Sequence, residues 1–190
     1  LGLFDVGPDR PGALAERTAT AHARGTATHR DGARLWNAAV AGATTERALA
    51  RGFDSISVCL SKGLGAPIGS VVAGGRDLVQ RCHRFRKMYG GGMRQAGVIA
   101  AAGLYALDHH RPRLGEDHAK ARDLATRLHG APGLRVDLAA VDTNVVMIDL
   151  DQPIAGAVVA AARRLGLRVG TIHERRLRAV THLDVDAAQM

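Results

Sequence analysis

The sequence predicts an α/β protein followed by a small α+β unit, and three observations support this assignment. A polar strand ending near Asp31, a helix, and an apolar strand ending near Leu60 follow one another, which is the pattern of a parallel strand pair. Several helical segments then run as far as Gly130, and beyond that residue short strands surround a single helix. We therefore expect a partial large domain over residues 1–108. A small C-terminal domain, itself incomplete at its end, is expected over residues 109–190.

The strand–helix–strand unit rests on three short segments. The polar stretch "TATHR" predicts a strand, although Arg30 is unusual in a strand that is buried on both faces. "DGARLWNAAV" opens a helix, with Asp31 at its start, where a carboxylate can cap free amide groups. In "SISVCL" the side chains of Ile56, Val58 and Leu60 face one way, as in a half-buried strand. "GSVVAG" follows a Gly/Pro turn and predicts a hairpin-like second strand.

The middle of the chain is helical. "RDLVQRCHRFRKMYG" predicts an amphipathic helix that ends at the triple glycine Gly90–Gly92, and the Ala-rich "MRQAGVIAAAGLYALDHH" predicts a buried helix. A further helix, "RPRLGEDHAKARDLATRLHG", ends at Gly130. In the C-terminal unit we expect one helix, "IAGAVVAAARRLG", and the strands "LRVDL", "TNVVMIDL", "LRVG" and "RLRAVTHLDV".

Charge and composition argue against a nucleic-acid surface. The net charge is +8 and the sequence pI is near 10.6, but only 3% of the residues are aromatic and the arginines are spread along the chain. Binding of single strands uses aromatic side chains for base stacking, and these are scarce. The densest basic cluster, "RCHRFRK" (Arg81–Lys87), is interpreted as a solvated helix face or a wall for an anionic ligand.

The remaining composition suggests a protein of the cytoplasm without a metal site. Cys59 and Cys82 form no CxxC pair, and no apolar run approaches the length of a membrane span. The histidines His109, His110 and His182 show no convincing spacing of metal ligands. We expect no metal and no membrane partner.

Asp31 and Lys62 carry the chemistry that the sequence indicates. Each closes a predicted strand, and a right-handed crossover between parallel strands places both strand ends at one edge of the sheet. A lysine amine can form a Schiff base, and a carboxylate can keep a pyridine nitrogen protonated, which together suit pyridoxal 5'-phosphate. The alternative is a helix cap at Asp31 and a surface lysine at Lys62. Spacing alone does not separate the two.

Four motifs carry a resemblance to a known family. "DGARLWNAAV", "SVCLSKGLGAPIGSVVAG", "RKMYGGGMRQAGVIAAAGLYAL" and "RAVTHLDV" occur in the order found in low-specificity L-threonine aldolases. These belong to the β-eliminating lyase group of fold-type I pyridoxal-phosphate enzymes. The resemblance implies that the chain holds the C-terminal part of a fold-type I large domain, a mostly parallel sheet with helices, followed by a small α+β domain. It also implies that an N-terminal portion is missing.

The resemblance assigns roles residue by residue. Lys62 resembles the lysine that holds the cofactor as an internal aldimine, and Asp31 the acid paired with the pyridine nitrogen. Arg34, taken as one helical turn after Asp31, resembles an arginine near the cofactor and the substrate carboxylate. Arg178 resembles the arginine that binds the substrate α-carboxylate. Two further residues, Lys87 and Arg94, match basic residues near the cofactor.

The reaction implied is cleavage of L-threonine or L-allo-threonine to glycine and acetaldehyde, in threonine catabolism and glycine biosynthesis. The resemblance further implies a homo-oligomer, a dimer or tetramer. Two alternatives stay open at this point. The chain could be an inactive remnant of such an enzyme, or a related lyase acting on another β-hydroxy amino acid.

Overall fold

The computed structural model describes residues 11–190. The first ten residues of the predicted large domain therefore lie outside the described part. The chain divides into two compact units, the first ending at Leu114 and the second spanning Gly115–Met190. The predicted boundary between a partial large domain (residues 1–108) and a small C-terminal domain (residues 109–190) stays a prediction.

The first unit holds three strands and five α-helices within its described residues. In chain order they are α1 (Pro11–Ala23), β1 (His29–Gly32), α2 (Leu35–Ala41), α3 (Glu46–Ala50), β2 (Ser55–Cys59), β3 (Ser70–Gly74), α4 (Arg76–Met88) and α5 (Gly97–Tyr105). A π-helical turn over Ala106–His110 and a 3-10 turn over Arg111–Arg113 continue from α5.

The three strands form one sheet in the order β1-β2-β3. β1 and β2 are parallel, with Asp31 opposite Ser57, whereas β2 and β3 are antiparallel, with Cys59 opposite Ser70. The predicted parallel pair and the predicted hairpin are both confirmed. Two short helices, α2 and α3, connect the parallel strands, where the sequence predicted one.

The apolar face of this sheet packs on helices that precede and follow β1. Leu14 of α1, Leu35 of α2 and Leu49 of α3 are buried there, and Ile56 and Val58 of β2 pack against them. Burying a side chain of this size contributes about 1.5–3 kcal/mol. The alternation in "SISVCL" therefore correctly predicts which side of β2 faces the core.

One sequence prediction about burial is wrong in this unit. The Ala-rich helix α5 is largely exposed, with Val98 80% and Leu104 62% accessible, and only Gly103 is buried within it. Its uniform apolar composition has no periodicity that could indicate a single buried face. Arg30 is accommodated in β1 because its guanidinium lies over the ring of Phe53, 5.5 Å from the centroid.

A hydrogen-bonded carboxylate joins the ends of three elements. Oδ2 of Asp54 accepts from the backbone N–H of Thr28 at 2.6 Å and from its hydroxyl at 2.9 Å, and lies 3.0 Å from Nε2 of His22. The Thr28 N–H and the His22 ring stabilise the ionised form and lower the pKa of Asp54 from 3.8 to about 2. This links α1, the segment before β1 and the segment before β2.

We expect Asp54 to stabilise the fold only above the acid range. Its pKa is lower when folded, so its contribution is complete above pH 3.8 and is lost as the pH falls towards 2. Thermal unfolding of Asp54→Asn should thus begin at a lower temperature than wild type at pH 6, with the gap closing towards pH 2. The control is Asp142→Asn, since Asp142 is exposed and has no hydrogen bond or ion pair among the described residues. A difference in unfolding temperature between wild type and Asp54→Asn that does not change with pH would contradict this account.

The second unit is a small antiparallel sheet with two helices. Its elements are α6 (Leu114–Leu128, whose first residue belongs to the first unit), β4 (Leu134–Arg135), β5 (Val145–Leu150), α7 (Ala155–Arg164), β6 (Gly170–His173) and β7 (Arg176–Val180). The strand order is β4-β5-β7-β6, and every neighbouring pair is antiparallel. The predicted order of strands and helix is confirmed, although β4 keeps only two residues of "LRVDL" and β6 begins at Gly170.

A buried ion pair within α6 includes a lysine, Lys120, that also bonds to the segment after β7. Nζ of Lys120 lies 2.7 Å from Oδ1 of Asp117, which is fully buried, and also donates to the carbonyls of His182 and Val185 at 2.9 and 2.7 Å. The hydroxyl of Thr181 donates to the carbonyl of Asp117 at 2.6 Å. His182, predicted to lie in a strand, lies in this segment beyond the end of β7.

Across residues 11–190, no helix is both long enough and apolar enough to cross a membrane.

Candidate active site

One edge of the three-stranded sheet gathers three of the predicted site residues. Asp31 lies near the carboxyl end of β1, Arg34 directly precedes α2, and Lys62 follows the end of β2 by three residues. Because β1 and β2 are parallel, all three lie at or just after carboxyl ends of strands at the same edge of the sheet. Ligands of open α/β sheets bind at this edge.

Asp31 is exposed, and its carboxylate stabilises the turn that follows β1. Its Oδ1 accepts a hydrogen bond from the backbone N–H of Ala33 at 3.1 Å. The prediction that Asp31 and Arg34 share a helix face is wrong, because Asp31 is in a strand and Arg34 is the residue before the first turn of α2. Their common position comes from the strand end and not from helical spacing.

The loop that carries Lys62 is a hydrogen-bonded turn with an exposed lysine. The N–H of Gly65 donates to the carbonyl of Lys62 at 2.8 Å, and the N–H of Ala66 donates to the carbonyl of Leu60 at 3.0 Å. Gly65 has φ +67°, a conformation that suits glycine. The backbone around Lys62 is thus held while its side chain reaches solvent.

Close packing fixes the rest of this loop. Leu64 is fully buried in a cluster with Ala66, Ala106 and Leu114. A Cβ on Gly63 would lie 2.5 Å from Oδ1 of Asn37, so no larger residue fits there without displacing Asn37. These contacts explain the small residues on both sides of Leu64, and they leave the loop little freedom to move.

Lys87 and Arg94 flank the Gly90–Gly92 turn between α4 and α5. The stem of Lys87 lies against Gly92, whose added Cβ would be 2.8 Å from Cδ of Lys87. Both residues are exposed, and neither side chain makes a hydrogen bond or ion pair with any residue that the structure describes. Two uncompensated cations beside a glycine turn suit an anionic ligand, but no contact joins them to Lys62 or Asp31.

Arg178 lies on the exposed face of β7 in the second unit, opposite Met147 of β5. Two residues earlier on the same face, Arg176 forms a two-fold hydrogen bond to Asp149, which lowers the pKa of that carboxyl. Arg178 has no such partner within residues 11–190. Of these two arginines, Arg178 is therefore the one available to bind a carboxylate.

Sequence comparison assigns the chain to a family. A profile of the family described as beta-eliminating lyase matches residues 8–153. The chain belongs to this family. The predicted resemblance is confirmed, and the matched range includes Asp31, Arg34, Lys62, Lys87 and Arg94.

Relatives within the family are named threonine aldolases. The low specificity L-threonine aldolase of Escherichia coli O157:H7 is 43% identical over 169 residues, which are 88% of this chain and 49% of that protein. Low-specificity L-threonine aldolase 1 of Arabidopsis thaliana is 47% identical over 127 residues, 67% of this chain and 36% of that protein. The chain thus spans about half or less of the length of these relatives.

The fold also matches a solved threonine aldolase. The structure from Leishmania major superposes with a TM-score of 0.75 at 18% identity, over 96% of this chain and 54% of that chain. At this identity the match concerns the fold alone. It confirms the predicted fold class, a fold-type I large domain in part, followed by a small α+β domain.

Sequence reasoning missed the residues that support the Lys62 loop. Nδ1 of His110 lies 2.6 Å from the carbonyl of Leu64, and the indole N–H of Trp36 donates to the carbonyl of Cys59 at 3.3 Å. Neither histidine spacing nor hydrophobic pattern indicates contacts between residues this distant in sequence. Within the described residues, no group of three or more His, Cys, Asp or Glu side chains could hold a metal ion.

Proposed function

We propose that this beta-eliminating lyase uses pyridoxal 5'-phosphate to cleave L-threonine or L-allo-threonine into glycine and acetaldehyde. The observation that carries the proposal is the parallel pairing of β1 with β2, which brings Asp31 and Lys62 to one sheet edge. Relatives named threonine aldolases support the choice of reaction.

The residues present fit the cofactor in their chemistry. An exposed amine on a loop held by buried Leu64 can react covalently without disturbing the core. The Asp31 carboxylate accepts one hydrogen bond from Ala33, and two oxygens with about four lone pairs leave room for a further donor. A single sheet edge thus offers both an amine and an acid.

Each residue then has a defined task. When bound, the cofactor would supply an electron-accepting ring. Lys62 would bind its aldehyde carbon, and Asp31 would hold a proton on the ring nitrogen. Arg178 would bind the substrate carboxylate through two parallel hydrogen bonds and so set the orientation of the bond that breaks.

The basic residues would balance the negative charge of the ligands. Arg34, at the same edge as Lys62, would lie near the cofactor and the substrate carboxylate. Lys87 and Arg94 carry no acidic partner in the described part of the chain, which suits a role toward an anionic group. We further propose that the full enzyme is a cytoplasmic homo-oligomer, a dimer or tetramer, of glycine and threonine metabolism.

The test is product formation by the purified chain. With pyridoxal phosphate added, we expect acetaldehyde and glycine from L-threonine or L-allo-threonine, and none without the cofactor. Product from another β-hydroxy amino acid only would favour a related lyase. A chain that folds poorly and takes up no cofactor, or one that takes up the cofactor yet forms no product from any of these substrates, would favour an inactive remnant.

A further inference from the structure

The π-helical turn after α5 makes a direct contact with the loop that carries Lys62. His110 is the last residue of this turn, in which the N–H of Arg111 donates to the carbonyl of Ala106, five residues back. Nδ1 of the half-buried His110 lies 2.6 Å from the carbonyl of Leu64. A carbonyl can only accept, so Nδ1 carries the proton and donates. Short π-helical insertions of this kind occur frequently at functional sites.

The peptide group between Leu64 and Gly65 is held at both ends. Its carbonyl accepts from His110, and its N–H donates to the carbonyl of Lys62 at 2.8 Å. Hydrogen bonds arranged in series through one peptide group polarise and strengthen each other. A continuous path of two hydrogen bonds therefore joins the imidazole to the backbone of Lys62.

The surroundings reinforce this connection. Ala106, at the start of the π-helical turn, and Leu114, just after the 3-10 turn, are fully buried against Leu64. In addition, Arg111 forms a two-fold hydrogen bond to Glu46, 2.8 Å at each contact, and its guanidinium lies 5.9 Å from the ring centroid of Trp36. The segment that contains His110 is thus held by the packing of Ala106 and Leu114 and by the contacts of Arg111.

We infer that His110 is a positioning residue for Lys62, acting through the Leu64–Gly65 peptide. This inference rests on the proposed function in one respect, since it assigns the purpose of the contact to the chemistry at the Lys62 amine. His110 itself touches neither substrate nor cofactor in this account. Its role is to hold the turn between Leu60 and Ala66 in one conformation, so that the Lys62 side chain points in one direction.

The variants separate the hydrogen bond from the volume of the ring. His110→Leu fills the space but removes the donor. His110→Asn keeps an N–H close to the position of Nδ1 and should restore the bond, whereas His110→Gln moves the donor away. His109→Leu is the matched control, because His109 is the exposed neighbour in the same turn. Both rings contact Tyr105, with centroid distances of 4.2 Å for His109 and 5.4 Å for His110, but only His110 also bonds to the carbonyl of Leu64.

Two readouts without added cofactor test the inference. Loss of the donor should raise the amide exchange rate of Gly65 about three- to tenfold, the factor expected for one net hydrogen bond. The rate of reductive methylation at Lys62 should change by at least about twofold relative to that at Lys87, an exposed lysine of α4 that serves as the internal reference. Both effects are expected in His110→Leu and His110→Gln, with near wild-type values in His110→Asn and His109→Leu.

The inference is overturned if His110→Leu and His110→Gln leave both rates unchanged. It is equally overturned if His109→Leu produces the same changes, or if His110→Asn fails to restore them. Should His110→Leu not fold, the comparison of His110→Gln with His110→Asn decides in the same way. Failure of the proposed function would appear separately, as a wild-type chain that forms no covalent adduct with pyridoxal phosphate.

Discussion

Replacing Lys62 with alanine is expected to abolish the covalent attachment of pyridoxal phosphate to this chain. Borohydride reduction of the wild-type chain with cofactor should place one stable adduct on the peptide that contains Lys62. The variant should carry none and should lose the visible absorbance of the bound cofactor. The physical reason is that Lys62 is the exposed amine at the sheet edge that also holds Asp31.

Lys62→Arg and Lys87→Ala are the controls for this experiment. Arginine keeps the positive charge and most of the length of Lys62, but its guanidinium cannot form the covalent bond. We therefore expect Lys62→Arg to behave like Lys62→Ala, whereas Lys87→Ala should retain the adduct at Lys62 at saturating cofactor, because Lys87 is proposed to balance charge and not to form the covalent bond. An adduct that persists in Lys62→Ala, carried by Lys87 or Lys120, would contradict the assignment.

Replacing Lys120 with methionine is expected to destabilise the second unit by about 3–5 kcal/mol, the range for breaking a buried ion pair. Lys120 is only 11% exposed and Asp117 is 0% exposed, so the variant leaves a buried carboxylate without its ammonium partner. The variant also removes both hydrogen bonds to the segment after β7. The measurement is chemical denaturation followed by a probe confined to residues 115–190.

The control for Lys120 lies on the same helix. Arg127 and Asp123 form an ion pair of similar length, 2.8 Å, but their side chains are 61% and 49% exposed. Arg127→Met should therefore cost only about 0.2–1 kcal/mol. Replacing both members of the buried pair, as Lys120→Met with Asp117→Leu, should recover much of the loss. A cost for Lys120→Met no larger than that for Arg127→Met would refute the importance of this ion pair.

Local patterns predicted much of the secondary structure. The alternation in β2, the hairpin to β3 and the amphipathic α4 all follow from periodicity that nearby residues supply. The motif around Lys62 and the family were also recognisable from short stretches of sequence. The exposure of α5 was not predictable in this way, because an Ala-rich segment is equally apolar on every side and its exposure depends on its neighbours.

The sequence by itself determined that a strand leads to Asp31, that another leads to Lys62, and that the chain belongs among the beta-eliminating lyases. Only the tertiary structure decided how Lys62 is held. The contacts of Leu64 with Ala106 and His110 join residues more than forty positions apart, and no local periodicity encodes such a pair. The same is true of Arg178, because its availability depends on which of two neighbouring arginines Asp149 binds across the strands. Such choices are set by packing between distant segments, which no short window of sequence contains.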